Sequence, residues 1–191
     1  MSFLPEDQSL YIIGLLHSLR DQPGIAKLHG VVVDSTGRYL KSYLMKNIAQ
    51  VWMFNTISRT AVDIPWPRKE RWAKRLVETV TMVHSRGFVI GNLGFATDYL
   101  LDDDDLPILW TFQNKIWKGQ RVIGYLPPED RINGFQYRDG TWIIPGKDFV
   151  RVTPGFDVYH LGMLLVGECW GVRDSSQTDF IQRLLLRYRS F

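Results

Sequence analysis

The chain has 191 residues, enough for one compact domain with its own core. Hydrophobic residues make up 45% and charged residues 23%, a balance that excludes a disordered or fibrous chain. The formal charge of +3 comes from scattered Lys and Arg and argues for a solvated surface rather than nucleic acid.

Residues 5–20 carry Leu10, Ile13, Leu16 and Leu19 at helical spacing, with Glu6 and Asp7 suited to the first turn. Asp21-Gln22-Pro23-Gly24 stops that helix. Leu28 to Val33 and Tyr39 to Met45 are apolar runs around the turn cluster Asp34-Ser35-Thr36-Gly37, which reads as a β-hairpin. Lys46 to Asn55 is expected to leave the sheet. Pro67 stands near the start of the next helix, where its missing N–H has no partner to lose. Trp72, Ala73, Leu76, Val77, Val80 and Val83 form that helix's apolar stripe, and Gly87 ends it.

Phe88-Val89-Ile90 leads into the loop Gly91-Asn92-Leu93-Gly94. Tyr99-Leu100-Leu101 and Leu106 to Trp110 read as short strands around Asp102 to Asp105. These four aspartates lack the D-x-D-x-D-G spacing of an EF-hand and read as a solvated turn. Residues 113–155 are rich in Gly and Pro, and Asp139-Gly140 between apolar runs signals a second hairpin. From Asp157 to Trp170 the chain is apolar nearly all round, so the helix belongs inside a core, with Asp157 as its expected N-cap. A last amphipathic helix is expected over 178–188.

The four histidines show no H-x3-H spacing for zinc, and no G-x-S-x-G or Walker sequence occurs. Cys169 is a lone thiol in an apolar run, so neither an internal disulfide nor a Cys-based zinc site is possible, and a reducing compartment fits. No secretory signal or membrane span is visible. The expectation is a soluble intracellular protein, cytoplasmic or nuclear.

Several pieces, in this order, resemble the eukaryotic protein kinase fold. Gly24-Ile25-Ala26-Lys27-Leu28-His29-Gly30-Val31 looks like the segment after the family's αC helix, and Tyr39 to Met45 like the strand entering its hinge. His84-Ser85-Arg86-Gly87-Phe88-Val89 resembles the end of αE, and Tyr125-Leu126-Pro127-Pro128-Glu129 the end of the activation segment. Asp157-Val158-Tyr159-His160-Leu161-Gly162 is similar to the start of αF. The resemblance implies an α+β fold, mainly a helical kinase-like C-lobe with a remnant N-lobe helix and hairpin over 1–48 and an insertion near 131–155. It places Met45, Lys46 and Asn47 beside an adenine site. It gives Asp157 and Glu129 structural roles, Asp157 as the tether of the catalytic loop.

The departures fall on the chemistry. Phosphoryl transfer needs a phosphate-cradling loop, a lysine on the phosphates, an acid to orient the hydroxyl and oxygen ligands for Mg²⁺. The glycine-rich loop and the lysine strand would precede αC, where only a few residues stand. The αC glutamate aligns with Ile12, the His-Arg-Asp motif with Ile90-Gly91-Asn92, and Asp-Phe-Gly with Trp110-Thr111-Phe112. Asn92 cannot take a proton as a carboxylate does, and Trp110 offers a metal no oxygen. Asn92 reads as a loop-holding Asx side chain. The metal-binding asparagine aligns with Thr97 or with Asp98.

The sequence therefore implies a catalytically inactive, pseudokinase-like module that acts by binding a protein partner or a second copy, with neither nucleic acid nor membrane as partner. No cofactor or metal is expected. ATP and Mg²⁺ enter only in the alternative reading, a fragment of an active kinase or an atypical ATP-dependent phosphotransferase using Asp98. A third reading is weak nucleotide sensing at 45–47 without transfer.

Overall fold

The structure is a computed structural model and describes residues 6–46, 51–53, 64–91, 93, 99–117, 136–138, 141–143 and 149–166. Its elements run α1 (Glu6–Ser18), β1 (Leu28–Val33), β2 (Leu40–Met45), β3 (Val51–Trp52), α2 (Trp66–Ser85), β4 (Tyr99–Leu101), β5 (Pro107–Leu109), β6 (Lys115–Trp117), β7 (Gln136–Arg138), β8 (Thr141–Ile143), β9 (Phe149–Arg151) and α3 (Pro154–Val166). This is an α+β arrangement in which small antiparallel sheets lie among helices.

The stripe of α2 forms the middle of the core: Trp72, Ala73, Leu76, Val77, Val80 and Val83 are all buried. Pro65 caps the helix start and Pro67 sits in its first turn, where a missing N–H costs nothing. The helix ends in a Schellman motif. Gly87, at φ +77°, donates its N–H to His84 O at 2.9 Å, and Phe88 N–H reaches Val83 O at 3.2 Å.

Helix α1 adds Ile12, Leu15 and Leu16 to the same core cluster, and Leu19 just after it joins them. The stripe is rotated from the expected one, since Leu10 is exposed and Ile13 half-buried. Polar Gln8 is buried on the α1 side that faces the core.

Strands β1 and β2 pair antiparallel, Val31 opposite Tyr43, as the hairpin pattern predicts. Asp34 closes their turn: its carboxylate accepts from Thr36 Oγ1 and from the N–H groups of Arg38 and Tyr39. The chain leaves the β1–β2 sheet after Met45, and Val51 and Trp52 then form a short strand in a different sheet, paired with Leu101 and Leu100, which the sequence pattern does not predict. Two residues are too few to show an alternating pattern.

The acidic turn joins β4 to β5, with Tyr99 opposite Leu109. Asp102 Oδ1 accepts the N–H groups of Asp104 and Leu106 at 3.0 and 2.8 Å. Asp105 receives a two-pronged contact from Arg68 at 2.7 and 2.5 Å, and its carbonyl takes Trp72 Nε1–H at 2.7 Å. The turn is thus fastened to the first turns of α2 rather than merely solvated. The antiparallel pair β6–β9, Ile116 opposite Val150, joins segments far apart in sequence that read only as loop. Strands β7 and β8 pair around 139–140 as the Asp-Gly signal predicts. Residues 139–140 themselves and the helix expected over 178–188 lie outside the described residues.

Helix α3 begins at Pro154, not at Asp157. Thr153 Oγ1 accepts Phe156 N–H at 3.3 Å, so Thr153 is the cap and Pro154 the pre-set first residue. This corrects the expected N-cap and leaves the Asp157 carboxylate for another task. Among the described residues, no helix is long and apolar enough to cross a membrane.

Candidate functional site

The loop that follows α2 is the candidate site. Ile90 and Gly91 are buried, so their backbone groups need partners from within the protein. Asp157, fully buried on α3, supplies two of them. Its Oδ2 accepts Ile90 N–H at 2.7 Å and its Oδ1 accepts Gly91 N–H at 2.6 Å. His84 Nε2 lies 2.8 Å from Asp157 Oδ2, which adds a third contact from the last turn of α2. With the carboxylate as acceptor, Nε2 is the donor.

The carbonyl side is closed by the segment after β5. Gln113 N–H donates to Ile90 O at 2.8 Å and Gln113 Nε2 to Gly91 O at 2.7 Å. Gly91 adopts φ +73°, and a Cβ there would run into the Gln113 carbonyl, so only glycine fits. Helix α1 completes the set. Tyr11 Oη accepts Val89 N–H at 2.8 Å and donates to Val89 O at 2.5 Å. All six backbone polar groups of Val89, Ile90 and Gly91 are therefore satisfied, from three separate parts of the chain. Burial pushes the Tyr11 hydroxyl up to about 12, against the lowering effect of the Val89 bond and with a smaller push from the Asp157 charge. Gln8 Nε2 donates to Phe112 O at 3.1 Å and ties α1 to the same segment as Gln113.

Of the site positions expected from the sequence, Asp157 is at the centre of this cluster. Trp110 is half-buried just after β5, two residues before buried Phe112. Met45 ends β2 and packs against the core, while Lys46 is exposed and donates its N–H to Lys27 O at 2.7 Å. Ile12, aligned with a glutamate in the resemblance, is a core residue. Asn92, Asp98, Asn47 and Glu129 lie outside the described residues.

In the sequence, His84 is weighed as a zinc ligand and as part of the segment resembling the end of αE, while Gln8, Tyr11 and Gln113 are not singled out. A glutamine on the core side of α1 is a usable signal, since buried amides need partners. Nothing in the sequence pattern points to Gln113.

Among the described residues, these contacts fix the backbone of the loop. The loop's N–H groups at 89–91 are engaged by Tyr11 and Asp157, so none is left to cradle a phosphate, and Ile90 and Gly91 bring no proton acceptor. Among the described residues, no group of three or more His, Cys, Asp or Glu side chains could hold a metal ion. No protein-family model matches the chain, and no curated protein is significantly similar to it.

Proposed function

We propose that the chain is a degenerate protein kinase-like module, without phosphotransferase activity, that works by binding another protein. One observation carries the reading: the Asp157 carboxylate takes the N–H groups of Ile90 and Gly91. These are the residues that stand where the family has the first two positions of its catalytic motif, and Asp157 stands where the family has its loop tether. A buried acid spent on an otherwise featureless loop supports a scaffold role. The substitution of the acid position by Asn92 and of the metal-ligand position by Trp110 supports the loss of transfer, because neither side chain can do the replaced task.

The test is direct. Purified full chain is incubated with [γ-³²P]ATP, Mg²⁺ or Mn²⁺ and a generic protein acceptor. The expected result is no transfer above the buffer blank. Transfer that disappears in Asp98→Ala would overturn the proposal in favour of an atypical phosphotransferase. A thermal shift with millimolar ATP separates nucleotide sensing at 45–47, where a clear rise in Tm is the diagnostic result.

A further inference from the structure

We propose that the free edge of β1 docks an extended, acidic and apolar segment of a partner protein, which adds to the β1–β2 hairpin as a third strand. This deepens the protein-binding reading above, and rests on it only for the existence of a partner.

The β1–β2 sheet has two strands, and no third described strand pairs with either. Strand edges left this way present rows of backbone donors and acceptors. The two edges are not equivalent. In the pairing register, His29 is the extra residue on β1 and Lys41 the extra residue on β2. Strand β2 carries a charged residue at its bulge, a device that blunts an edge, whereas the bulge on β1 stands at His29. Each bulge stands at the second residue of its strand, and the rest of β1, Gly30-Val31-Val32-Val33, holds no charge, no proline and no further extra residue. Val31 and Val33 are 49% and 47% exposed, which is unusual for β-branched residues on a strand. An added strand would cover them.

The charge pattern names the occupant. From Lys27 to Lys46 the hairpin holds Lys27, Arg38, Lys41 and Lys46 against a single acid, Asp34. The Asp34 carboxylate is already occupied by the turn N–H groups. Arg38, Lys41 and Lys46 are exposed and form no ion pair with a described residue. A strand added at β1 would lie about 10 Å from the backbone of β2, within reach of these long side chains and of one screening length. Acidic residues alternating with apolar ones match both features. An anionic lipid surface would meet the cations but would leave the strand edge without hydrogen-bond partners.

The full chain is titrated, by fluorescence anisotropy, with labelled short peptides of alternating Glu and Val. The controls are the Lys and Val counterpart and the acidic peptide N-methylated at alternate amides, which blocks strand pairing. The expected result is saturable binding of the acidic peptide alone, about tenfold weaker in Lys41→Glu/Lys46→Glu and lost in Val32→Pro. Since proline can disturb the hairpin itself, Val31→Glu at an exposed position serves as the second variant and should weaken binding without changing the circular dichroism. Equal binding of acidic and basic peptides, or none at millimolar peptide, overturns the proposal. Light scattering that shows a dimer closed through β1 assigns the edge to a second copy and overturns it. Binding to phosphatidylserine vesicles in place of the peptide overturns it as well. Phosphate transfer would refute the silent-module reading and leave this one standing, so the two failures are distinguishable.

Discussion

Removing the Asp157 carboxylate tests the clamp where it is most exacting. The side chain is fully buried and accepts from Ile90 N–H, Gly91 N–H and His84 Nε2. In Asp157→Ala all three donors lose their acceptor at once. Each buried donor left unsatisfied costs about 1–3 kcal/mol, and because the three share one site the losses do not add in full. The expected destabilisation is about 3–5 kcal/mol, the range for breaking a buried charged contact by deleting one side. Asp157→Asn keeps the size and one oxygen. With that oxygen in the Oδ2 position it still serves Ile90 and His84, but its NH₂ group then faces Gly91 N–H, donor against donor. One contact is lost, for about 1–3 kcal/mol. Urea unfolding followed by circular dichroism should rank wild type above Asn above Ala, with Tm falling about 2–4 °C per kcal/mol for a chain of this size. Hydrogen exchange should show protection lost at the Ile90 and Gly91 amides while the middle of α2 keeps its own. If Asp157→Ala unfolds within about 0.5 kcal/mol of wild type, the spread of an ordinary surface substitution, the clamp argument is wrong.

Three further outcomes follow from the same geometry. Tyr11 holds its proton more tightly when folded, up to about 12 against an ordinary value of 10.0, so its contribution is complete below pH 10 and is lost as pH rises towards 12. After discounting for its partial exposure, this is about 1–2 kcal/mol, and the fall in stability over that window should be shallower in Tyr11→Phe when both are followed by urea unfolding. Gly91→Ala should cost at least about 2 kcal/mol, from left-handed strain together with the collision at the Gln113 carbonyl, whereas an alanine at half-buried Gly14, which meets no neighbour, should stabilise α1 slightly. The Arg68–Asp105 pair is about a third exposed on each side, so Arg68→Lys should cost less than about 1 kcal/mol in a urea titration, and less still at high salt. Arg68→Ala should cost more than Arg68→Lys, because the guanidinium also lies 4.9 Å from the Trp72 ring centre.

How far the sequence alone reached depends on which interactions are local. The α2 stripe, its glycine stop, the first hairpin and the Asp-Gly hairpin are written in neighbouring residues, and each lies where its pattern predicts. The errors fall where a partner is distant. Strand β3 exists because Val51 and Trp52 meet β4, and β6 exists because Lys115 to Trp117 meet β9. Neither is long enough to carry a period of its own. Hydrophobicity alone favours Leu10 for the α1 stripe and gives no sign that buried Gln8 belongs to the core side, where it bonds to Phe112 O. The residue type of Asp157 suggests an N-cap, and the structure gives it a different local role. Asp is a good N-cap by type, but Thr153 and Pro154 just upstream already supply the start of the helix. Only the fold brings Asp157 to Ile90 and Gly91.

Under the proposed reading, a module without phosphoryl transfer would still need such a site. The segment Val89 to Gly91 belongs to neither a helix nor a strand, and Ile90 and Gly91 are shut off from water. Regular structure would satisfy their backbone groups automatically; an irregular buried loop must borrow partners from side chains. Tyr11, Gln113 and Asp157 are those partners, and together they connect α1, the segment after β5 and α3 through one point. Under the proposed reading, Asn92 and Trp110 stand where transfer would need an acid and a metal ligand, and neither side chain supplies one. The carboxylate at 157 is not free to vary, since replacing it leaves buried donors with no acceptor whether or not phosphate is ever transferred. The clamp is therefore a requirement of the fold, and under the proposed reading a silent scaffold keeps it for that reason alone.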